Sequence, residues 1–198
     1  MDKIEEIIIG TNNKGKYREI CNLLPKRIIK YSPEDFGIPS PEETGNSFKK
    51  NSFIKASYFS KKTNLICLSD DSGLEIELLN GAPGIYSSRW SGEKNDFNLA
   101  IKKIFNEMRN ASKDWKKHNL AKFICSMTLF WPSGKNYCST GEIKGKISYL
   151  KKGNNGFGYD PIFIPNGYNK TFSEMKPPQK MSIDHRFEAF KKIKNYFI

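Results

Sequence analysis

The sequence predicts an α/β fold, and three observations carry that prediction. Ile7-Ile8-Ile9 is a continuous apolar run that stops at Gly10, and after a polar loop it is followed by residues at helical spacing, as when a strand buried on both faces leads into a helix. Leu65-Ile66-Cys67-Leu68 repeats such a run in mid-chain. Ala121 to Trp131 and Tyr137 to Ser148 are rich in β-forming and aromatic residues on either side of a short polar break, the pattern of a long hairpin.

At 198 residues and 37% hydrophobic content the chain is read as one domain over 1–198, with a single core or two lobes sharing a sheet. The 33 Lys+Arg against 21 Asp+Glu leave a formal charge of +12, which favours anionic partners without choosing among nucleotides, nucleic acid and acidic surfaces. The lysines are spread in pairs along the chain, so most are read as solvated faces. Cys21, Cys67, Cys125 and Cys138 lie far apart, with only His118 and His185 to assist, so free thiols in a reducing compartment are expected rather than a zinc site. Met1 to Glu6 is acidic where a signal peptide needs a basic head, and no stretch approaches membrane-spanning length. A soluble, cytoplasmic protein with no membrane partner is the expectation.

Taken in order, Thr11-Asn12-Asn13-Lys14-Gly15-Lys16 joins the first strand to a helix bearing Tyr17, Ile20, Cys21 and Leu24 on one face. A helix N-terminus with two lysines suits a phosphate, although a plain connector fits the same residues and the pattern is not a Walker loop. Pro33 to Pro41 reads as irregular chain, followed by Glu42 and Glu43 and then a helix over Phe48 to Phe59. Carboxylates before a helix complement its dipole, and near a phosphate site they are also candidate Mg²⁺ ligands. Lys55, two turns into that helix, either reaches toward an anion or is solvated.

Ser69-Asp70-Asp71-Ser72-Gly73 is the stretch with the most chemistry in it. Two adjacent carboxylates beside a buried run call for a cation, which suggests a Mg²⁺ and phosphate centre; Asp, Ser and Gly are also ordinary turn residues. Leu74, Ile76 and Leu78 alternate as a half-buried strand ending at the turn signal Asn80-Gly81, and a stiff loop then leads to Arg89. Asp96 caps a helix whose buried face is Phe97, Ala100, Ile101, Ile104, Phe105 and Met108, and residues 109 to 120 read as a surface loop with Trp115 isolated among lysines. Gly153 to Pro161 combines glycines, Phe157, Tyr159 and Asp160. These residues suit a purine sandwich with an acceptor for its edge, and equally a glycine-rich turn anchored by aromatics. Ile162 to Ile164 is a strand, and a last helix carries Phe187, Phe190, Ile193 and Phe197 on one face, with His185 and Arg186 in its first turn pointing donors outward.

With these motifs in this order, the chain resembles the inosine triphosphate pyrophosphatase family, enzymes that hydrolyse non-canonical purine nucleoside triphosphates (ITP, dITP, XTP) to the monophosphate and pyrophosphate. The resemblance runs through Thr11 to Lys16, Glu42-Glu43-Thr44-Gly45, Ser69 to Leu74, Gly81 to Arg89, Gly156 to Pro161, Lys180 and His185-Arg186. It implies a long mixed β-sheet with two α/β lobes and a cleft between them, and a homodimer. It further implies phosphate binding by Thr11, Asn12, Asn13, Lys14, Gly15 and Lys16, Mg²⁺ on Glu42 and Asp71, and Asp71 as general base. Substrate contacts are implied for Ser72, Phe157, Gly158, Tyr159, Asp160, Lys180, His185 and Arg186. Two positions depart from the family's usual residues. Asn12 replaces a glycine, and asparagine tolerates left-handed backbone. Asp184 replaces a serine, either as another N-cap or as a carboxylate that raises the pKa of His185.

The chemistry of the residues agrees with this. Mg²⁺ on the carboxylates would neutralise and orient the triphosphate, a carboxylate would take a proton from the attacking water, and Lys14, Lys16 and Lys180 would stabilise phosphoryl charge. His185 and Arg186, as donors to a 6-oxo group, would select inosine- and xanthosine-type bases over adenine. Two rival readings are a basic nucleic-acid-binding module, which gives Asp70 and Asp71 no role, and a pyrophosphatase for modified pyrimidine nucleotides, which differs only in the base pocket. A nucleoside triphosphate substrate, with no stable nucleic-acid partner, is therefore expected.

Overall fold

The computed structural model describes residues 3–198, so the part of the acidic N-terminal segment formed by Met1 and Asp2 lies outside the described residues. In chain order the regular elements are β1 (Glu6–Ile9), α1 (Lys14–Leu23), β2 (Ile29–Tyr31), α2 (Phe48–Thr63), β3 (Cys67–Ile76), α3 (Phe97–Ala111), β4 (Leu120–Phe130), β5 (Asn136–Ile147), β6 (Phe163–Pro165), α4 (Pro177–Met181) and α5 (His185–Lys191). The six strands form one mixed sheet in the order β2-β1-β3-β4-β5-β6. β1 runs parallel to β2 and β3, with Ile8 opposite Cys67 and Ile9 opposite Leu68, while β5 and β6 are antiparallel. Among the described residues, no helix is long and apolar enough to cross a membrane.

The chain divides into two compact units. The first comprises the residues up to Asp71, Cys125–Gly141 and Arg186–Ile198; the second comprises Ser72–Ile124 and Glu142–His185. In the first unit β1 is buried on both faces, as its unbroken isoleucine run requires. Ile7 and Ile9 join Ile20, Leu68, Met127 and Phe197 in one cluster, and Ile8 packs on the other side with Ala56, Phe59 and Phe130. The second unit is built around Leu74, Ile76, Ile104, Phe123, Phe163 and Phe172.

The helices start where their caps stand. Asn13, Ser47 and Asp96 accept from the backbone N–H of Lys16, Lys50 and Asn98 at the starts of α1, α2 and α3. Consequently α1 already includes Lys14 to Lys16, which the sequence suggests as loop. β3 passes without a break through Ser69 to Gly73, so the acidic pair lies within a strand and the turn reading is excluded. Ile66 and Leu68 on one side and Leu74 and Ile76 on the other belong to the same apolar stretch of chain, and this carries the polar residues between them into the sheet. Trp115 also departs from expectation. It is buried in the second unit's core, with its ring 6.0 Å from Phe105 and 5.9 Å from Tyr149, contacts whose partners lie far from it in sequence.

Candidate active site

In the first unit a charged cluster forms around the acidic pair of β3. The end of β1 is pressed against β3, because a Cβ at Gly10 would meet Cys67 Sγ at 2.8 Å and the Phe59 ring at 2.9 Å, and Ser69 Oγ donates to Gly10 O at 2.7 Å. This close approach delivers the loop that follows. Thr11 Oγ1 accepts from Asn13 N–H at 3.2 Å, Asn13 caps α1, and Lys16 then reaches Asp70 Oδ2 at 3.5 Å and Asp71 Oδ1 at 4.0 Å. Asn12 and Lys14 are exposed and Gly15 is half-buried. Asn12 does not adopt the left-handed conformation found at Asn64, Asn80 and Asn95, so the loop does not require glycine there.

Helix α2 supplies a polar buried face. Ser52 and Thr128 of β4 share a hydroxyl hydrogen bond at 2.8 Å, which seats the helix with Asn51 and Lys55, four residues apart, turned inward. Asn51 Nδ2 donates to Asp71 Oδ2 at 3.1 Å, and Lys55 Nζ lies 3.8 Å from Asp71 Oδ1 and 2.5 Å from Glu43 Oε1. Of the two candidate carboxylates ahead of α2, Glu43 is thus the one paired with Lys55, while Glu42 is exposed.

Asp70 is fully buried and faces Arg186, whose Nη2 and Nε donate to its Oδ2 at 3.2 and 3.3 Å. Nη1 of the same guanidinium bonds Glu19 on α1. Arg186 is itself buried, so the outward-pointing donor expected from its place in the first turn of α5 is corrected. The guanidinium turns inward because two buried carboxylates would otherwise stand unanswered. Asp70 Oδ1 has no hydrogen-bond partner among the described residues.

These surroundings separate two carboxyls that are neighbours in sequence. Burial pushes the Asp70 carboxyl up, but Lys16, Arg186 and Lys55 together hold it well below the usual carboxylate range. At Asp71 burial prevails: assisted by Glu43, it keeps the pKa above the ordinary value although Lys55, Lys16 and the Asn51 amide pull the other way. Burial disfavours the Lys55 ammonium, yet Asp71, Glu43 and Asp70 raise its pKa and keep it charged.

The second unit holds an aromatic cluster around one lysine. Lys180 Nζ is 3.0 Å from Asp160 Oδ2 and 3.8 Å from Asp184 Oδ2, and it lies 5.2 Å from the Phe157 ring centroid and 5.5 Å from that of Phe172. Asp160 Oδ2 also accepts from Phe157 N–H at 3.0 Å. Gly156 has φ +75, and a Cβ there would run into that same carboxylate, so this turn needs a glycine for both conformation and space. His185 is buried with its ring stacked on Phe123 at 4.7 Å and 10°, which corrects its expected outward orientation. The two aromatics of the glycine-rich stretch divide their roles. Phe157 is half-buried beside Lys180, whereas Tyr159 is a core anchor, its OH donating to Ser87 O at 2.8 Å and its ring edge-on to Phe97. Gly158, with φ +66, lies between them, and Ser72 is half-buried directly after Asp71.

Sequence reasoning did not find Asn51, Glu19 or Phe123. The one available signal was for Asn51, which precedes Lys55 by a single helical turn. Glu19 and Phe123 read as an ordinary helix-surface acid and a strand aromatic, and only the tertiary fold brings them to Arg186 and His185.

A family model described as the Ham1 family matches residues 7–196 of this chain. The chain is 40% identical over 188 residues to the dITP/XTP pyrophosphatase of Zymomonas mobilis subsp. mobilis, covering 94% of this chain and 89% of that protein. It is 38% identical over 189 residues to the dITP/XTP pyrophosphatase of Caulobacter vibrioides, covering 96% of each. Among solved structures it is similar to a HAM1 protein from Coxiella burnetii, with a TM-score of 0.85, 34% identity and 96% of each chain covered. The Ham1 protein of Staphylococcus aureus gives a TM-score of 0.83 at 34% identity, over 96% of this chain and 97% of that one.

Proposed function

The chain belongs to the Ham1 family, and from that premise we propose that it is a hydrolase of non-canonical purine nucleoside triphosphates, ITP, dITP and XTP, releasing the monophosphate and pyrophosphate. The observation that carries the reading is the pair Asp70 and Asp71, buried side by side in β3 and met by Lys16, Lys55 and Arg186. A cluster of this kind is expensive to bury for stability alone, and it suits a site that handles anionic oxygens and a proton.

Asp71 is the general base. Its raised pKa makes it a better proton acceptor than an ordinary carboxylate, and Asn51 holds one of its oxygens while the other faces the lysines. Lys16, with Lys14 and the first turn of α1, receives the triphosphate, its ammonium and the backbone N–H groups stabilising charge as water attacks the α-phosphorus and pyrophosphate leaves. Arg186 acts behind this layer, keeping Asp70 ionised and α1 attached to β3 through Glu19.

The donor set also suits a divalent metal. Asp71 and Glu42 offer only carboxylate oxygens, the ligands that Mg²⁺ takes in ones and twos beside substrate phosphates, and among the described residues no group of three or more His, Cys, Asp or Glu is gathered for a metal. When bound, Mg²⁺ neutralises phosphate charge and orients the α-phosphorus. In the second unit Lys180 and His185 supply donors for a 6-oxo purine and Phe157 a flat face; adenine, with an amino group at that position, leaves the donors unpaired. A cytoplasmic homodimer completes the proposal.

Incubating the protein with Mg²⁺ and ITP, XTP or ATP, and resolving nucleotides and phosphates by chromatography, tests it. The reading requires IMP and pyrophosphate from ITP, with ATP a far poorer substrate. Stepwise release of orthophosphate, or equal turnover of ATP, contradicts it.

A further inference from the structure

We propose that Asn51 is a positioning residue that aims the Asp71 carboxylate and ties it to the segment ahead of α2. Its side chain is fully buried. Oδ1 accepts from Gly45 N–H at 2.8 Å, and Nδ2 donates to Asp71 Oδ2 at 3.1 Å. Both neighbours fix the way the amide faces, because a backbone N–H only donates and an ionised carboxylate only accepts; a flipped amide would set donor against donor and acceptor against acceptor.

The segment has no slack at this point. A Cβ on Gly45 would collide with Asn51 Oδ1 and come within 2.9 Å of Lys50 Cβ and 3.0 Å of Asn51 N. One helical turn later Lys55 repeats the arrangement with charge, contacting Glu43 at 2.5 Å and Asp71 Oδ1 at 3.8 Å. Residues 43 to 45 and Asp71 are therefore held from a single helix face by two side chains four positions apart. Ser47 at the start of α2 and the Ser52–Thr128 bond fix that face. With Oδ2 taken by the amide, Oδ1 is the oxygen within reach of Lys55 and Lys16. A base works only when its lone pair points at the proton it removes, and a misplacement of about 1 Å can cost on the order of a hundredfold in rate.

The inference rests on Asp71 being the base, and three variants keep the two claims distinguishable. Asn51→Asp retains an oxygen for Gly45 N–H but sets a second carboxyl oxygen against Asp71, Asn51→Ala removes both bonds, and Asp71→Asn is the reference. The measurements are kcat and KM for ITP with Mg²⁺, thermal unfolding, and amide exchange at Gly45. For both Asn51 variants kcat should fall at least about tenfold while KM stays within about threefold. The Gly45 amide should stay protected in Asn51→Asp and exchange faster in Asn51→Ala. If either variant, once folded, keeps kcat within about threefold of the parent, or if Asn51→Asp restores what Asn51→Ala loses, Asn51 serves only the loop and the inference is overturned. Normal turnover by Asp71→Asn removes the base and the inference with it, whereas an inactive Asp71→Asn beside a normal Asn51→Asp removes the inference alone.

Discussion

In the first unit Asp70, Asp71, Glu19 and Glu43 are met by Lys16, Lys55 and Arg186, each cation touching two carboxylates. In the second unit a buried cation, Lys180, is met by Asp160 and Asp184, with Phe157 and Phe172 beside it. Both arrangements bury charge, but they suit different work. The first is a network in which each cation and both aspartates have two ionic partners, so that charge can be added or withdrawn at the acidic pair, by a proton or by phosphate, without leaving an aspartate isolated. The second fixes one donor against flat apolar faces, as recognition of a ring edge requires.

The largest expected effect comes from withdrawing charge at the centre of the network. Asp71→Asn keeps the size of the side chain and loses the base, so kcat should fall by about a hundredfold to ten-thousandfold while the thermal midpoint changes little. Near-normal kcat at saturating Mg²⁺ would move the base elsewhere. Arg186→Ala tests the network's other end: it leaves Asp70 and Glu19 buried with a cation removed, and unfolding in urea should show a loss of about 3–5 kcal/mol. If the loss is under about 1 kcal/mol, the guanidinium is not holding the cluster together.

The acidic pair also predicts a separation by pH. Asp71, with its pKa raised by burial, must be ionised to act, so activity is present above that pKa and is lost as pH falls through it, at a value above the ordinary carboxylate of about 3.9. Asp70 is depressed by Lys16, Arg186 and Lys55 in spite of burial, so its contribution to stability is complete above the unfolded pKa and disappears only as pH falls toward the lower folded value. On acidification the enzyme should therefore stop before it unfolds, as followed by turnover and circular dichroism on the same samples. Unfolding that precedes the loss of turnover would contradict the opposite shifts.

Smaller effects are expected in the second unit. Tyr159→Phe strands the Ser87 carbonyl and should cost about 1–2 kcal/mol with the preference for ITP over ATP unchanged, since the ring is a core anchor. Asp184 sits farther from Lys180 than Asp160 does, 3.8 against 3.0 Å, so Asp184→Asn should disturb that preference less than Asp160→Asn. The reverse order would make Asp184 the principal partner of the lysine.

Much of this was legible in the sequence, for identifiable reasons. The isoleucine run of β1, the cap Asp96, and the aromatic-rich β4 and β5 are local signals, and each produced its element. The acidic pair announced itself because two adjacent carboxylates beside an apolar run demand a cation. The identity of that cation was not legible: Lys16, Lys55 and Arg186 come from three different elements, and no spacing links them. The buried face of α2 was hidden for another reason, since Asn51, Ser52 and Lys55 are polar and apolar periodicity cannot detect a helix face that is buried for its hydrogen bonds. Trp115 was misjudged because a lone aromatic among polar neighbours looks the same in sequence whether it lies on a surface loop or meets its own core.

The central claim is that the carboxylate network of the first unit directs water onto the α-phosphorus. Turnover of ITP in ¹⁸O-labelled water, with the products separated and analysed by mass spectrometry, tests it most directly. The account predicts that the label appears in the phosphate of IMP, with unlabelled pyrophosphate, and that Asp71→Asn slows its appearance without moving it. Label in pyrophosphate or in free orthophosphate would place the attack on another phosphorus and contradict the account.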